Sequence, residues 1–306
     1  MNILALDIGG TYLRSAFVKG CTVQDDLRER ADLSSICESA GEYAETQLVK
    51  VIVEHIRKRL SQHHTQAIAL GVPGFISTSN VIIASPNLPG IHNFPLSKHL
   101  EAHFNLPVTI ANDALCAARG AWLLEAPPPR SLAILTLGTG VGGGLILNGQ
   151  PIVGDGGTAM EIGHLLAVPH GNPCGCGKQG CLEQYSSASA LSRLDVVVNG
   201  NKRNTEKLSV AAREGEKKVE NLFDTAGIYL GYAVATLVLL VDVRTIRIGG
   251  GLSRSWDLLK ESFFASLNEH LIPPLRDCID VKPVPVEMID RIGLIGAADL
   301  AFKEHP

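Results

Sequence analysis

Four side chains of the types that bind metal ions lie close together in the second half of the chain. They are His164, Cys174, Cys176 and Cys181. One imidazole and three thiolates form a Cys₃His set, which suits tetrahedral Zn²⁺. Interspersed glycines permit the tight turns that would wrap a metal, and they are Gly175, Gly177 and Gly180. We therefore expect a zinc site. Free thiols or a disulfide are the alternatives, although Cys174 and Cys176 are too close in sequence for an easy mutual bridge.

Two carboxylates flank this Cys₃His set, Glu161 on one side and Glu183 on the other. A purely structural zinc site does not need acids at its edges. With all four ligands supplied by the protein, the metal has no open position for Lewis-acid chemistry. We therefore interpret the metal as a brace that fixes the direction of the two carboxylates.

A glycine turn joins two predicted strands, residues 2–6 and 13–18, near the start of the chain. The turn reads DIGGT at residues 7–11. Successive backbone N–H groups in such a turn form a small concavity that suits a phosphate group. Asp7 can hold a hydrated Mg²⁺ beside the phosphates, and Thr11 can donate its hydroxyl. A plain hairpin turn is the alternative.

The same arrangement recurs in the middle of the chain, where a predicted strand at 131–137 leads into GTGVGGG at 138–144 and a returning strand follows at 145–147. A Rossmann fingerprint would have a helix after the glycines, so this is a different motif. We call residues 9–11 the first glycine turn and residues 138–140 the second. Facing one another across a cleft, the two turns would hold a triphosphate from both sides.

Two further strand ends carry groups that could bind ligands. The predicted strand at 245–248 ends in GGGLS at 249–253, where glycines would let the backbone approach an adenine ring; a flexible turn is the alternative. The predicted strand at 107–111 ends at Asn112 and Asp113, just before a predicted helix. These two residues could cap that helix or bind a ligand at the strand end.

Composition narrows the class of protein. A length of 306 residues predicts two domains, and 45% hydrophobic with 19% charged residues is typical of soluble globular proteins. The formal net charge of −4 argues against a nucleic-acid partner. The cysteines outside the Cys₃His set follow no disulfide framework, which favours a cytoplasmic setting. We interpret the apolar residues 226–243 as a buried helix rather than a membrane span, and the first residues contain no signal-peptide pattern.

With these segments placed, the whole chain resembles the ROK family of sugar kinases and, through it, the actin-like ATPases with a ribonuclease H-like fold. The matching segments are DIGGT (7–11), PNLPG (86–90), ND (112–113), LGTGVGGG (137–144), EIGH (161–164), CGCGKQGCLE (174–183) and GGGLS (249–253). The resemblance implies a two-domain α/β fold with a cleft between the domains. It implies a smaller N-terminal domain of residues 1–115, joined by a C-terminal helix at 291–306, and a larger domain of residues 116–290 with the zinc motif.

The same resemblance implies roles for individual residues. Asp113 becomes the catalytic base and contacts the sugar. The other sugar-binding residues are Gly74, Asn87, Asn112, Glu161, His164 and Glu183. The nucleotide-binding residues, beside Asp7, are Gly9, Gly10, Thr11, Gly138, Thr139, Gly140, Gly249, Gly250, Gly251 and Leu252. Two positions depart from the family pattern: Met160 stands where a glycine usually precedes the E-x-G-H motif, and Tyr12 where lysine or asparagine is frequent. Both bear on substrate preference rather than on the chemistry.

The expected activity is ATP-dependent phosphorylation of a hexose primary hydroxyl to a hexose 6-phosphate, with Mg²⁺, a structural Zn²⁺ and glucose as the first substrate. Glu161 favours glucose over N-acetylmannosamine, because some kinases of that amino sugar resemble this chain but differ at this position. Fructose, mannose, allose and N-acetylglucosamine are further alternatives within the class. A sugar-sensing regulator without catalysis is an alternative of another class, which the retained Asp7 and Asp113 argue against. We also expect a homodimer that binds neither nucleic acid nor membrane.

Overall fold

The computed structural model describes residues 2–304 and divides into two compact units. Unit 1 comprises Met1–Pro129, Gly144–Ala159 and Asp290–Pro306. Unit 2 comprises Arg130–Gly143 and Met160–Ile289. The domain limits that we predict at 115/116 and 290/291 stay a prediction, because compact units defined by contacts are not a test of independent folding.

Unit 1 contains a mixed sheet with helices on both faces. Its elements are β1 (Ile3–Ile8), β2 (Tyr12–Lys19), β3 (Thr22–Arg30), α1 (Leu33–Ala40), α2 (Ala44–Leu60), β4 (Ala67–Val72), β5 (Phe75–Ile76), β6 (Ile82–Ala84), β7 (His92–Phe94), α3 (Leu96–Phe104), β8 (Val108–Asn112), α4 (Asp113–Leu124) and α10 (Ile292–Glu304). The main sheet has the order β3-β2-β1-β4-β8. Strand β1 is antiparallel to β2 and parallel to β4, and β4 is parallel to β8.

Strand β1 shows why the sheet of unit 1 is covered on both faces. Leu4, Leu6 and Ile8 belong to a core with residues of α2 and α3. Ile3 and Ala5 belong to a second core, which includes residues of α10. Because successive side chains of a strand point to opposite faces, a continuous apolar run is what a strand buried on both sides requires. By the same alternation, Asp7 lies on the α10 face.

Unit 2 is built around a second sheet. The elements that begin in it are β9 (Leu132–Leu137), β10 (Val141–Leu147), α5 (Glu183–Ser186), α6 (Ala188–Asn199), α7 (Thr205–Arg213), α8 (Lys217–Val241), β12 (Thr245–Gly249), α9 (Trp256–His270) and β13 (Asp280–Pro283). The sheet order is β11-β10-β9-β12-β13, where β11 is Gln150–Pro151. Strand β12 is parallel to both of its neighbours. The chain passes from unit 2 into unit 1 within β10.

Helix α8 is the one helix among residues 2–304 whose length and composition would allow it to cross a membrane. Half of its apolar window is buried within the fold. It packs closely on α9: a Cβ at Gly227 would lie 2.5 Å from the Leu259 carbonyl oxygen, and one at Gly231 would overlap that of Phe263. Core helices of globular domains pack in this way, so the prediction of a buried helix agrees with these contacts.

Candidate active site and metal centre

The carboxyl ends of three parallel strands bring the predicted base Asp113 and the predicted nucleotide-binding residue Asp7 together in unit 1. Asp7 near the end of β1 is paired with Gly71 of β4, and Gly71 is paired with Ala111 of β8. The Cα of Asp113 lies 3.6 Å from the position that a Cβ on Gly71 would take. Burial raises the pKa of the Cys116 thiol well above its usual range, and the charges of Asp113 and then Asp7 raise it further. Both carboxylates therefore lie near the same buried thiol.

Asn112 is the residue that caps helix α4. Its Oδ1 accepts a hydrogen bond from the Leu115 N–H at 3.0 Å, and its Nδ2 donates to the Gly74 carbonyl at 2.9 Å. Asp113 is the first helical residue, and its Oδ1 accepts from the Ala114 N–H at 2.8 Å. The sequence allows these residues either to cap the helix or to bind a ligand, and Asn112 caps the helix. One N–H of its amide is left for a ligand, and Gly74 is fixed beside it.

The first glycine turn is closed by one of its N–H groups and leaves two others without an acceptor among the described residues. The Gly9 N–H donates to the Tyr12 carbonyl at 2.9 Å, which closes the turn. The carbonyls of Gly10 and Thr11 accept hydrogen bonds from N–H groups of residues 31–34 at 2.8–3.0 Å. Within the described chain the N–H groups of Gly10 and Thr11 have no acceptor. This is the donor arrangement that binds a phosphate oxygen.

The side chains beside this turn fit Mg²⁺ and a polar ligand. Oδ2 of Asp7 accepts a hydrogen bond from Arg14 at 2.9 Å, while Oδ1 has no partner among residues 2–304. A carboxylate oxygen is a ligand that Mg²⁺ prefers, so the donor chemistry of Asp7 fits this ion. Asn87 is exposed and lies against the turn, because a Cβ on Gly10 would stand 3.3 Å from the Asn87 carbonyl oxygen.

The second glycine turn is held by the segment that follows the Cys₃His set. The Gly138 N–H donates to the Gly140 carbonyl at 3.0 Å, and the Gly138 carbonyl accepts from the Ala188 N–H at 2.8 Å. A Cβ on Gly140 would lie 2.5 Å from Oε2 of Glu183. The Glu183 carboxylate therefore occupies the space that a side chain at 140 would need. Thr139 is exposed at the tip of the turn.

The predicted nucleoside segment lies beside the second glycine turn. Strand β12 ends at Gly249 next to β9, and Gly250 has a φ of +80°. A Cβ on Gly250 would stand 2.5 Å from the Leu137 carbonyl oxygen. Position 250 therefore requires glycine for both its backbone conformation and its contact. Gly251 begins a 3-10 helix that ends at Ser255, in which Leu252 is buried.

The four predicted zinc ligands converge in unit 2. One ligand atom from each of the four lies within 4.8 Å of every other. Nδ1 of His164 is 3.7 Å from the Cys174 sulfur, and the sulfurs of Cys176 and Cys181 are 3.6 Å apart. Gly177 and Gly180 have φ values of +87° and +79°, and Gly175 does not have a positive φ. Two of the three glycines therefore supply the left-handed turns of this segment.

Burial and mutual contacts shift the pKa values of the thiols in this group in different directions. Burial, then hydrogen bonds with Cys176 and Cys174, raises the pKa of Cys181 to about 12. Burial acts against the thiolate of Cys176 too, but the Lys178 N–H and the neighbouring thiols outweigh it and lower its pKa. Three crowded sulfurs cannot all ionise without a nearby positive charge. Zn²⁺ would supply that charge and would take the tetrahedral ligand set that these residues offer.

The flanking carboxylates lie against this centre. Glu183 Oε1 accepts a hydrogen bond from the Cys174 thiol at 3.4 Å. Nε2 of His164 is 4.0 Å from Oε2 of Glu161. Burial, with the charge of Glu183 added, raises the pKa of Glu161 against the opposing effect of His164. Met160, just before Glu161, has a φ of +68°. This left-handed conformation suits glycine, which is usual at this position in the family that the chain resembles.

Comparison with known proteins identifies the family. The model of the ROK family matches residues 3–304. The chain belongs to the ROK family. It is 31% identical to a glucokinase of Halalkalibacterium halodurans over 323 residues, which cover 99% of this chain and 95% of the relative. It is also 31% identical over 309 residues to an N-acetylmannosamine kinase of Shigella flexneri, covering 99% of each chain.

A solved structure of a ROK family glucokinase from Streptomyces griseus, in complex with glucose and AMPPNP, superposes on this ROK protein with a TM-score of 0.83. The two chains are 28% identical, and the match covers 99% of this chain and 100% of the other. The family and the α/β fold class predicted from the sequence are therefore confirmed. The roles assigned to individual site residues stay predictions.

Sequence reasoning missed Arg14, which contacts Asp7 directly. The signal was present in the hairpin. If residues 9–11 form the turn, Ile8 pairs with Leu13 and Asp7 with Arg14, as the structure has them. A carboxylate and a guanidinium directly opposite one another on neighbouring strands form an ion pair.

Proposed function

We propose that this ROK protein transfers the γ-phosphoryl group of ATP to the primary hydroxyl of a hexose, with glucose as the first substrate. The enzyme class, a sugar kinase, is confirmed by the relatives: two are named as kinases of glucose and of N-acetylmannosamine, and one binds glucose together with the ATP analogue AMPPNP. The hexose itself, the 6-phosphate product and the involvement of Mg²⁺ are the proposed parts.

The observation that carries the proposal is the group of residues at the carboxyl edge of the unit 1 sheet. Asp7 stands near the end of β1, the first glycine turn follows β1, and Asp113 follows β8, which only β4 separates from β1. A sugar hydroxyl is a weak nucleophile, so a carboxylate that takes its proton during transfer contributes ~10²–10⁴-fold. We assign this role to Asp113. The turn N–H groups would bind phosphate oxygens, and Mg²⁺ held through Asp7 would neutralise the developing charge.

The second glycine turn and the glycines at 249–251 would hold the rest of the nucleotide. They follow the neighbouring parallel strands β9 and β12, and Gly250 lies against Leu137. In this proposal the second glycine turn contacts phosphate oxygens and the adenine lies near Leu252. Glycine at these positions lets the backbone donate directly to phosphate oxygens.

Sugar binding is assigned to Glu161, His164 and Glu183, with Asn87, Asn112 and Gly74. Sugar hydroxyls need rigid hydrogen-bonding partners, because a buried hydroxyl left unpaired costs about 1–3 kcal/mol. His164 directs Nδ1 towards the cysteines and Nε2 towards Glu161. With Nδ1 on zinc, Nε2–H would be fixed for a sugar oxygen, and the metal would act as a brace for the neighbouring carboxylates.

The choice of glucose rests on Glu161, as at the sequence level. The alternatives are fructose, mannose, allose, N-acetylglucosamine and N-acetylmannosamine. The left-handed Met160 adjoins Glu161 and is the residue most suited to alter the preference. A sugar-sensing regulator without catalysis is the alternative of another class. We further propose a cytoplasmic homodimer that binds neither nucleic acid nor membrane, with domains divided at 115/116 and 290/291.

The first experiment is a panel of these sugars with ATP and Mg²⁺, read by ADP release and compared as kcat/KM. We expect the highest value for glucose and a 6-phosphate product by NMR. A higher value for another hexose would correct the substrate and leave the reaction class intact. Sugar binding by calorimetry without ADP release from any sugar would favour the regulator.

The second experiment tests the base. Asp113→Asn should lower kcat by ~10²–10⁴-fold while the Kd for glucose changes by less than about threefold. Asp155→Asn is the matched control, since Asp155 is an exposed aspartate outside the site. A kcat for Asp113→Asn within a few fold of the wild-type value would show that the base is another group.

A further inference from the structure

Arg14 lies between two carboxylates of unit 1. Its Nη1 donates to Oδ2 of Asp7 at 2.9 Å, and its Nη2 is 2.8 Å from Oδ1 of Asp290. The side chains of Arg14 and Asp7 are about one quarter exposed, at 27% and 25%, and that of Asp290 is 44% exposed. Ion pairs at the protein surface contribute little, but a guanidinium that is mostly buried and shared by two carboxylates is held in one geometry.

The backbone fixes this arrangement. Asp7 and Arg14 are directly opposite one another in the antiparallel pair β1–β2. Asp7 shares the face of β1 on which Ile3 and Ala5 pack against α10, and Asp290 stands just before α10. The three charged groups thus belong to one face of one unit. They link β1, the strand before the first glycine turn, to Asp290, where the chain re-enters unit 1.

One N–H group of Arg14 makes no hydrogen bond in this arrangement. Its Nε is buried and has no hydrogen-bond partner among the described residues. A buried donor left unpaired is rare and destabilising by about 1–3 kcal/mol. The guanidinium is therefore oriented by its two carboxylates rather than by the best satisfaction of all its own N–H groups.

We propose that Arg14 is a positioning residue for Asp7, and that Asp290 holds Arg14 in place. Arg14 occupies Oδ2 of Asp7 and directs Oδ1, which has no protein partner in residues 2–304, to the hydrated cation that accompanies the phosphates. This inference rests on the proposed function, because it assumes that Asp7 binds the cation of a metal–nucleotide complex. Two carboxylates around one guanidinium keep a net negative charge, so a divalent cation is still attracted.

The test measures metal binding directly. Mn²⁺ is titrated into protein saturated with AMPPNP and free Mn²⁺ is followed by electron paramagnetic resonance. Removing a residue that orients a metal ligand typically weakens the affinity ~10–100-fold. We expect Arg14→Met to raise the Kd for Mn²⁺ by at least about tenfold. Arg14→Lys should raise this Kd less, because the single ammonium of lysine can hold only one carboxylate.

Arg291→Met is the matched control. Arg291 is the neighbour of Asp290 and pairs with Asp26 at 2.9 Å, but it does not contact Asp7. We expect its Kd for Mn²⁺ to stay within twofold of the wild-type value. Should Arg14→Met not fold, Asp290→Asn replaces it, with an expected rise of about threefold, since Asp7 keeps its bond to a less firmly held Arg14.

A double-mutant cycle separates positioning from general stabilisation. In an Asp7→Asn background, adding Arg14→Met should change the Kd for Mn²⁺ no further. Equal losses from Arg14→Met in both backgrounds, or a lower unfolding midpoint with an unchanged Kd, would overturn the proposal. Sugar turnover is not its readout. If the wild-type protein phosphorylates a sugar but Arg14→Met binds Mn²⁺ with an unchanged Kd, only this inference is refuted. If the wild-type protein phosphorylates no sugar, only the proposed function is refuted.

Discussion

Each of the two glycine turns contains two glycines and a threonine, but the turns have different supports. In unit 1 the carbonyls of the first glycine turn are bound by residues 31–34, and the charged pair of Asp7 and Arg14 stands beside it. In unit 2 the second glycine turn is bound by Ala188 and packed against Glu183, whose other oxygen contacts Cys174. One turn thus depends on hydrogen bonds and an ion pair, the other on the segment that follows the Cys₃His set.

Because their supports differ, the two turns should respond to different perturbations. The support of the first turn is the backbone that connects β3 to α1 together with the start of α1, which forms whenever unit 1 folds. The support of the second turn follows directly on Cys181, so we expect its order to depend on a metal bound by the Cys₃His set. This difference can be tested by removing the metal, by substituting the turn residues and by substituting the groups around them.

Removing the metal should have the largest effect. Cys176→Ala, or chelation of the native protein, should lower the free energy of unfolding by roughly 3 kcal/mol or more, less than the ~10–16 kcal/mol of isolated zinc modules. Amide hydrogen exchange should become faster at residues 138–140 and 174–188 and stay unchanged at residues 9–11. Calorimetry and mass-resolved exchange measure the two effects.

Cys278→Ala is the control for this prediction, because Cys278 is an exposed free thiol outside the Cys₃His set. It should leave both observables unchanged. Metal analysis that finds no zinc in the native protein would contradict the prediction, and equal acceleration of exchange in both turns would contradict the comparison itself.

Gly140→Ala should have the next largest effect. Its Cβ would lie 2.5 Å from Oε2 of Glu183, the end of a side chain that can move, so the fold is kept and the carboxylate is displaced. We expect the Kd for glucose to rise about tenfold, which corresponds to about 1.4 kcal/mol. Gly10→Ala meets its neighbours only at 3.3 Å and should have a smaller effect.

Gly138→Ala controls for the helix- and turn-forming preference of alanine. A Cβ at 138 meets nothing within 4 Å, so the free energy of unfolding should not change. The interpretation of Glu183 is wrong if Gly140→Ala binds glucose as tightly as the wild-type protein does.

Much of this arrangement could be predicted from the sequence. Paired glycines after buried apolar runs place both turns at strand ends, and the Cys and His spacing indicates the four side chains that converge in the structure. Strand β3 forms at Thr22–Arg30 although TVQDDLRER has little apolar alternation, and it is an edge strand paired with β2. Tertiary pairing outweighs local preference at such an edge.

The contacts between distant segments could not be predicted. Nothing in the local sequence indicates that Asp290 pairs with Arg14, since the two stand near opposite ends of the chain. The approach of Glu183 to Gly140 likewise depends on how the metal-binding segment folds back. The site was found by residue type, and the roles of its residues came from the family resemblance.

The stability of unit 1 should depend on pH rather than on a bound metal. His55 of α2 is buried, with Nε2 2.8 Å from the Ser15 hydroxyl of β2 and Nδ1 3.1 Å from Glu29 of β3. Burial lowers the pKa of His55 below 6.5, and the hydrogen bond with Glu29 only partly opposes this. The unfolded chain therefore takes up a proton near pH 6.5 that the folded chain does not. Stability is full above that pH and is lost as the pH falls below it.

Urea unfolding between pH 7 and pH 5 measures this effect. The wild-type protein should lose more stability over this range than His55→Gln, which keeps a donor and an acceptor but does not titrate. His64→Gln is the control, since His64 is exposed. Identical pH slopes for the wild-type protein and His55→Gln would exclude His55 as the responsible group.

The smallest expected effect concerns Met160, next to the metal centre of unit 2. Its φ of +68° is a left-handed conformation that costs a residue with a Cβ roughly 1–2 kcal/mol. Glycine relieves this strain but loses more backbone entropy on folding, by about 0.5–1 kcal/mol. Met160→Gly should therefore stabilise the protein by about 0.5 kcal/mol in urea unfolding. Asn105→Gly is the control: Asn105 has a φ of +51°, but asparagine tolerates this conformation, so no gain is expected. A loss of stability in Met160→Gly would mean that the thioether packing at 160 outweighs the strain of its backbone.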